Sequence, residues 1–582
     1  MKLGKSALLV SGVVAISACG AEDATSVTTT QAKGGGNKPT SPVCAESGAA
    51  NTAYRCVLST KLNGDLSWSL ESGPDGLVVQ ERSGVLRWTP TTAQRGNVPV
   101  VVLVQSGNRS ERISFTINVS GGTTDPAGIY VSASGNDGNS GSVDAPFLTL
   151  QRAVDTVQPG QTIYVRGGEY RNAEFGQPYA NRNEANLVQI RTSGTASQPI
   201  TLRNFGNEFV RFRSDVNGIR FNNSTPEYWT LKGIELVGNA QELTEDVALA
   251  NWWSDEAILP MQGRGIGGKM DHITIEDMIV RDFPGAGIAP RNSEYVTLRN
   301  NIVFNNAWWS TAGTHGITVS AMKQTATDTE QTVEITGNMT FANQSLIISH
   351  VFSKGKVSLV LDEGNGIHLQ NNTETFGREA LIENNVSFWN GKAGLGINTL
   401  NRATIRNNAF YRNARVVNRN GEMSVQSSAL RDVSSNLFHP RSHQQTYKDF
   451  QNAYSGLGSN ATLAGIAGDA DLPASFIRLS QVFTNPDTLD FRPASGAPST
   501  MGVDTGILDY LLGKIAEYGL QVVEPDQPFE EDTYLFEQKK RIFASWPATY
   551  SSIVLEDKAT GHTWNYAQRC HYPNWPAPEN CG

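Results

Sequence analysis

The chain has 582 residues, with 47 Lys and Arg against 56 Asp and Glu and a formal net charge of −9. That balance argues against a nucleic-acid partner, and an anionic polysaccharide would have to be held by local Arg and Lys rather than by bulk charge. No phosphate loop, zinc-ligand spacing, nucleotide-binding fingerprint or nucleophile elbow occurs in it.

Residues 1–18 carry Lys2 and Lys5, an apolar centre from Ala7 to Ile16 and small residues before Cys19, the pattern of a secretory signal. The run Ile16-Ser17-Ala18-Cys19-Gly20 resembles the bacterial lipoprotein box. The resemblance implies cleavage before Cys19 and lipidation of that residue. Several acyl chains would then anchor the protein to a membrane. Gly20 stands where inner-membrane lipoproteins typically carry Asp, so the outer membrane is the expected location. Residues 19–42 are rich in Thr, Ser, Gly and Pro and read as a flexible tether. The remaining cysteines form two local pairs, Cys44 with Cys56 and Cys570 with Cys581, which suits disulfides in an oxidising compartment. No stretch after the signal is long and apolar enough to span a bilayer.

From 43 to 120, short alternating segments separated by Gly, Pro and Asn turns predict a small β-sandwich. The stretch from Ser67 to Pro90 resembles the cadherin-like and immunoglobulin-like modules of bacterial surface enzymes, and a spacer role is expected for it. Residues 121–128 are the next linker.

The main domain is expected over 129–506. Leu148, Leu150, Ala153, Val154 and Val157 lie on one face of a predicted amphipathic helix, suited to capping the end of a solenoid. Downstream, one pattern recurs: Leu381–Phe388 and Thr404–Phe410 each hold an Asn-Asn pair between short apolar alternations. Along the series Met278, Asn301, Asn338, Asn385 and Asn408 the steps are 23, 37, 47 and 23 residues. This spacing reads as one coil, one coil with an insertion, two coil lengths, and one coil. Units this short, rich in β-formers and turned by Asn, predict a parallel β-helix whose corner amides stack in a ladder. The opening from Ile129 through Pro159–Tyr170 resembles the pectate-lyase-like right-handed β-helix superfamily. That resemblance implies an all-β solenoid acting on, or binding, polysaccharide. Its members include lyases, hydrolases, epimerases and adhesins, so it leaves the substrate open.

Chemistry is expected in three insertions between coils. The first holds Trp252, Trp253, Asp255 and Glu256, with Arg264 following; the second holds Trp308, Trp309 and His315; the third holds Asp362, Glu363 and His368, trailed by Arg378. The tryptophans, Asp255, Glu256 and Arg264 are candidates for gripping a polysaccharide, with aromatic faces on sugar C–H groups and charged groups on hydroxyls. For β-elimination a base must remove the proton beside a uronate carboxylate while positive charge stabilises the anion. His315, His368 and neighbouring lysines such as Lys354, Lys356 and Lys392 are candidate bases, and Arg378 a partner for the substrate carboxylate. By the superfamily resemblance, Asp362 and Glu363 could hold Ca²⁺, although adjacent residues on a strand face opposite ways. The alternative is hydrolysis by a carboxylate pair drawn from Asp255, Glu256, Asp362 and Glu363. A second alternative is a surface glycan-binding protein without catalysis. The Arg-rich signature of many pectate lyases is missing, and Thr314-His315-Gly316 precedes Asp362-Glu363 in the reverse of the polygalacturonase order. Residues 507–582 are expected to form a helix and an aromatic, disulfide-stapled cap, and the whole chain to act as a monomer.

Overall fold

Alternation at a period of two places every second residue of a strand in a core, and here it does so around three walls. The computed structural model describes residues 44–172, 185–222, 224–254, 260–323, 331–370, 379–400, 402–416, 421–426, 428, 430–441, 458–465, 472, 474–525, 531–558 and 560–569. The segments expected as signal and tether, with Cys19, and Cys570 and Cys581 lie outside the described residues.

The N-terminal unit packs a four-stranded sheet on a three-stranded one around Trp68, Trp88, Val102 and Ile117. Cys44 and Cys56 are joined by a disulfide. A buried ion pair of the main domain faces this unit: Arg166 Nε lies 3.1 Å from Glu208 Oε2, which also accepts the Gly167 N–H at 2.7 Å, and Arg166 Nη2 donates to the Asp75 carbonyl at 2.8 Å. Glu208 Oε1 accepts the Thr89 N–H at 3.1 Å, so one carboxylate is satisfied from both sides of the junction.

The main domain is a parallel β-helix of three long sheets with ten, eleven and eight strands. Apolar residues stack from coil to coil in fixed register. In the ten-stranded sheet Ile275, Leu298, Ile335, Ile382 and Ile405 lie in line. In the eight-stranded sheet the corresponding column is Ile266, Ile288, Ile317, Ile367 and Leu395. Both columns belong to one continuous core. No coil could bury these side chains alone, which is why the solenoid folds only as a stack.

Asparagine corners hold the coils together. Asn301, Asn338, Asn385, Asn408, Asn436 and Asn460 form a ladder in which each Nδ2 donates to the next Oδ1 at 2.9–3.0 Å. Met278, which heads the expected series, has no amide but gives its backbone N–H to Asn301 Oδ1 at 3.0 Å. A second ladder lies five residues further along each coil: Asn306, Asn343, Asn390 and Asn413, closed by Glu422.

A short helix, Leu150–Thr156, covers the first coil with Leu150, Ala153 and Val154. Leu148, expected on its buried face, precedes the helix and is 43% exposed. The helix expected after 506 spans Thr505–Glu517. It lies along the outer face of the eleven-stranded sheet, where Leu508, Leu511 and Ile515 meet Ile279, Ile302 and Met339. That sheet is therefore buried on both faces.

Candidate active site

Only two of the three sheets leave an outer face open. The ten-stranded sheet shows solvent a ladder of ion pairs, such as Arg299 with Glu276 and Arg406 with Glu383. The eight-stranded sheet is different. Between its core residues, strands Ile367–Gln370, Leu395–Asn398 and Met423–Gln426 turn outward His368, Gly396 and Ser424 in one row, and Gln370, Asn398 and Gln426 beside it. These residues, with Lys354, Asp362, Glu363, Lys392 and Lys558, line a cavity of about 340 Å³.

The charges in the cavity are arranged around Asp362. Lys392 Nζ lies 3.1 Å from Asp362 Oδ1, and Lys558 Nζ lies 3.6 Å from Oδ2. Glu363 points the other way, with Oε2 3.3 Å from His315 Nε2, although that approach is too oblique for a hydrogen bond. Its carboxyl is pushed up to about 7, chiefly by burial, with Asp362 adding to the rise and Lys392 opposing it. Gly313, with φ of 66°, lies under this side chain, and a Cβ there would stand 2.9 Å from Glu363 Oε1. The rings of His315 and His368 stack at 4.2 Å. Asn365 Nδ2 reaches Nδ1 of both, at 3.2 and 2.6 Å. Burial and nearby Lys392 hold the His368 imidazole neutral, with its pKa pushed down to about 3. Four buried polar atoms here have no hydrogen-bond partner among the described residues: Thr314 Oγ1, His315 Nε2, Thr318 Oγ1 and His368 Nε2.

The sequence model "Pel9A-like, right handed beta helix region" matches residues 129–429. The chain belongs to the Pel9A-like right-handed β-helix family. An Ig-domain model matches residues 23–120. Pectate lyase PEL9 of Emericella nidulans is 44% identical over 84 residues, 14% of this chain and 18% of that protein. The uncharacterized protein YwoF of Bacillus subtilis is 34% identical over 82 residues, 14% of each chain. The chain thus aligns with less than a fifth of either relative's length. Among solved structures it is similar to pectate lyase Pel9A, with 14% identity, 64% of this chain and 90% of that one covered, and a TM-score of 0.41. It is also similar to a rhamnogalacturonan lyase, with 14% identity, coverage of 66% and 96%, and a TM-score of 0.35.

Within the Pel9A-like region the three insertions do converge, but the tryptophans serve packing. Trp252 is fully buried and donates Nε1–H to the Ile348 carbonyl at 2.7 Å. Trp253 donates to the Ile542 carbonyl at 3.0 Å and stacks on Phe352 and Trp546. Trp309 donates to the Ala240 carbonyl at 2.9 Å, and the part-buried Trp308 packs against the same cluster. Together they dock helix Glu531–Ala544 and the segment after it onto the insertions, and the buried rings of Trp252, Trp253 and Trp309 are not offered to a sugar. Lys356 is also corrected: it pairs with Glu556 at 2.5 Å in a separate small sheet, while Lys354 lines the cavity. His315 is completely covered and stands behind His368 rather than in the cavity wall. Asp255, Glu256 and Arg378 lie outside the described residues.

Arg264 does belong to the open face. It sits close to Arg220 and Arg291, and burial together with these two like charges pushes its pKa down to about 10. Lys269, Arg291, Ser320 and Gln370 follow one another in register across the same sheet, so a basic strip runs toward the cavity. Among the described residues no carboxylate pairs with Arg264, Lys269 or Arg291. The sequence reading missed this strip and the amide row. Aligning the strands as Ile-His-Leu-Gln, Leu-Gly-Ile-Asn and Met-Ser-Val-Gln would have revealed the amides as a repeat. Lys558, arriving from the C-terminal cap, gave no local signal.

The donor set does not suit Ca²⁺. That ion takes six to eight oxygen ligands in direct contact. Asp362 is already neutralised by two ammonium groups, and Glu363 faces an imidazole. The other lining groups are lysines, His368, the Ser424 hydroxyl and side-chain amides, the oxygen of Asn365 is taken by the Ala393 N–H at 2.9 Å, and among the described residues no three His, Cys, Asp or Glu side chains gather as a metal site. Among the described residues Asp362 and Glu363 therefore do not form a calcium pair, and no step below passes through a metal.

Proposed function

We propose that this protein is a polysaccharide lyase that cleaves a uronic-acid-containing glycan by β-elimination. The observation that carries the reading is one cavity holding three lysines and a single carboxyl poised near neutrality. Elimination needs a base for the proton beside the carboxylate and cations for the charge that builds up there. Glu363 is the base: with a pKa of about 7 it is substantially ionised at neutral pH and still basic enough to take a proton. Lys392, Lys558 and Lys354 face the uronate carboxylate and stabilise the enolate-like anion. The strip of Arg264, Lys269 and Arg291 would hold further acidic units along the sheet. Hydrolysis is less well served, because it requires two working carboxyl groups and Asp362 is committed to lysines.

A panel of uronic-acid glycans tests the reading. Absorbance from new unsaturated ends is expected with wild-type protein, and Glu363→Gln should lower turnover by at least ~10²-fold with the fold intact. Reducing ends without that absorbance would mean hydrolysis, and glycan binding without either signal would mean a binding protein. Lipidation at Cys19 would place the enzyme on the outer membrane, and Cys19→Ala is expected to release it from membranes or block its processing.

A further inference from the structure

Asn365 meets Nδ1 of both stacked histidines. The Ala393 N–H donates to Asn365 Oδ1 at 2.9 Å, so the amide cannot be reversed without setting two donors against each other. Its Nδ2 therefore faces the imidazoles and has two hydrogens to give, one to His368 Nδ1 at 2.6 Å and one to His315 Nδ1 at 3.2 Å. The backbone N–H of Asn365 also points at His315 Nδ1, at 3.1 Å, and a backbone donor cannot change roles. In a neutral imidazole one nitrogen donates and the other accepts. Accepting at Nδ1 leaves the hydrogen on Nε2 in both rings. His368 is only 7% exposed and lines the cavity, and its Nε2, itself covered, meets no protein partner among the described residues. The fold makes room for this arrangement: a Cβ on Gly396, the strand neighbour of His368, would stand 3.1 Å from Asn365 Nδ2.

We propose that Asn365 is a positioning residue that locks the cavity-lining His368 as a neutral Nε2–H tautomer, able to give a hydrogen bond to a bound acidic sugar and not to abstract a proton. The identity of the acceptor rests on the lyase reading, but the tautomer does not. In β-elimination such a donor suits a carboxylate oxygen, which gains negative charge as the proton leaves, and it needs no protonation change of its own. The geometry thus removes His315 and His368 from the candidate bases.

The full chain has eight histidines, few enough for nitrogen NMR after histidine-selective labelling. His315 and His368 are assigned by the loss of signals in His315→Gln and His368→Gln. The wild-type spectrum, recorded without substrate between pH 6 and pH 8, is expected to show Nε2 protonated and Nδ1 bare in both rings. An Nδ1–H signal for His368 would overturn the proposal, whatever the protein does to glycans. Asn365→Asp replaces the two donating hydrogens by an acceptor and is expected to transfer the hydrogen of His368 to Nδ1. An unchanged His368 tautomer in a folded Asn365→Asp variant would show that Asn365 does not set it. Because these spectra need no turnover, a failure of the lyase reading in the glycan panel stays separate from a failure here.

Discussion

Lys392 is bound to Asp362 at two points: its Nζ donates to the Asp362 carbonyl at 2.7 Å and lies 3.1 Å from the carboxylate. The ammonium is thus held by both backbone and side chain, and its own side chain is only 13% exposed. A cation fixed in this way needs little reorganisation when charge develops beside it. Lys392→Met is expected to lower kcat on a uronic-acid glycan by ~10²-fold, while Lys558 continues to balance Asp362. Steady-state kinetics and thermal unfolding check this together. Near-normal kcat in a folded variant would remove Lys392 from the site.

The same pairing argues for independence from calcium. Saturating Ca²⁺ should leave the melting temperature unchanged, since a ligand that binds the native state must stabilise it. EDTA should likewise leave turnover unchanged. A calcium-dependent rise in melting temperature would show that the lysines yield their carboxylate to a metal.

The asparagine ladders should contribute measurable stability. Asn385 gives hydrogen bonds to Asn408 Oδ1 and to the Ile335 carbonyl, and receives one from Asn338, all within the core. Asn385→Leu leaves these partners unpaired and is expected to cost about 1–3 kcal/mol in denaturant unfolding. Asn343→Leu, in the second ladder, should behave alike. No change in either variant would argue against stacked corners as a source of stability.

Glu422 closes the second ladder, and it gives stability a pH dependence. Burial raises its pKa from 4.5 to about 8, with the donors of Asn413 opposing the shift. The native state therefore favours the protonated acid. That contribution is complete below about 4.5 and is lost as the pH rises to about 8. Glu422→Gln copies the neutral acid, so it should stabilise the protein at pH 8, by an amount on the order of a few kcal/mol, and have little effect at pH 4.5. Melting curves at the two pH values decide the matter, and equal effects at both would refute it.

Trp253 separates packing from binding. Its ring lies between Phe352 and Trp546 at centroid distances of 5.4 Å, with its N–H bonded to Ile542. Trp253→Ala is expected to cost about 3–5 kcal/mol through the cavity it leaves, with KM for a glycan unchanged in folded protein. A raised KM without loss of stability would restore the tryptophan to the binding face.

Much of the solenoid was legible because its signals are local. In Asn384-Asn385 and Asn407-Asn408 the first residue adopts the left-handed backbone, with φ of 57° and 55°, and the second carries the ladder. Asparagine serves both tasks, so the pair recurs visibly at coil spacing. The second ladder stayed hidden because, after Asn305, its left-handed positions are Ala342, Trp389 and Arg412, residues with no turn signature. Sequence also placed Glu363 and His368 in one short turn beside the most regular coils. It could not tell that the tryptophans face inward, since an aromatic pair in an insertion looks the same whether it meets a sugar or a cap helix, and here helix Glu531–Ala544 covers it. Nor could it bring Lys558 to Asp362, 196 positions away, or set Ala393 against the amide oxygen of Asn365. The coil repeat, and with it the fold, follows from short-range periodicity. The protonation and charge of the site depend on burial and on partners from distant segments, which only the folded chain brings together.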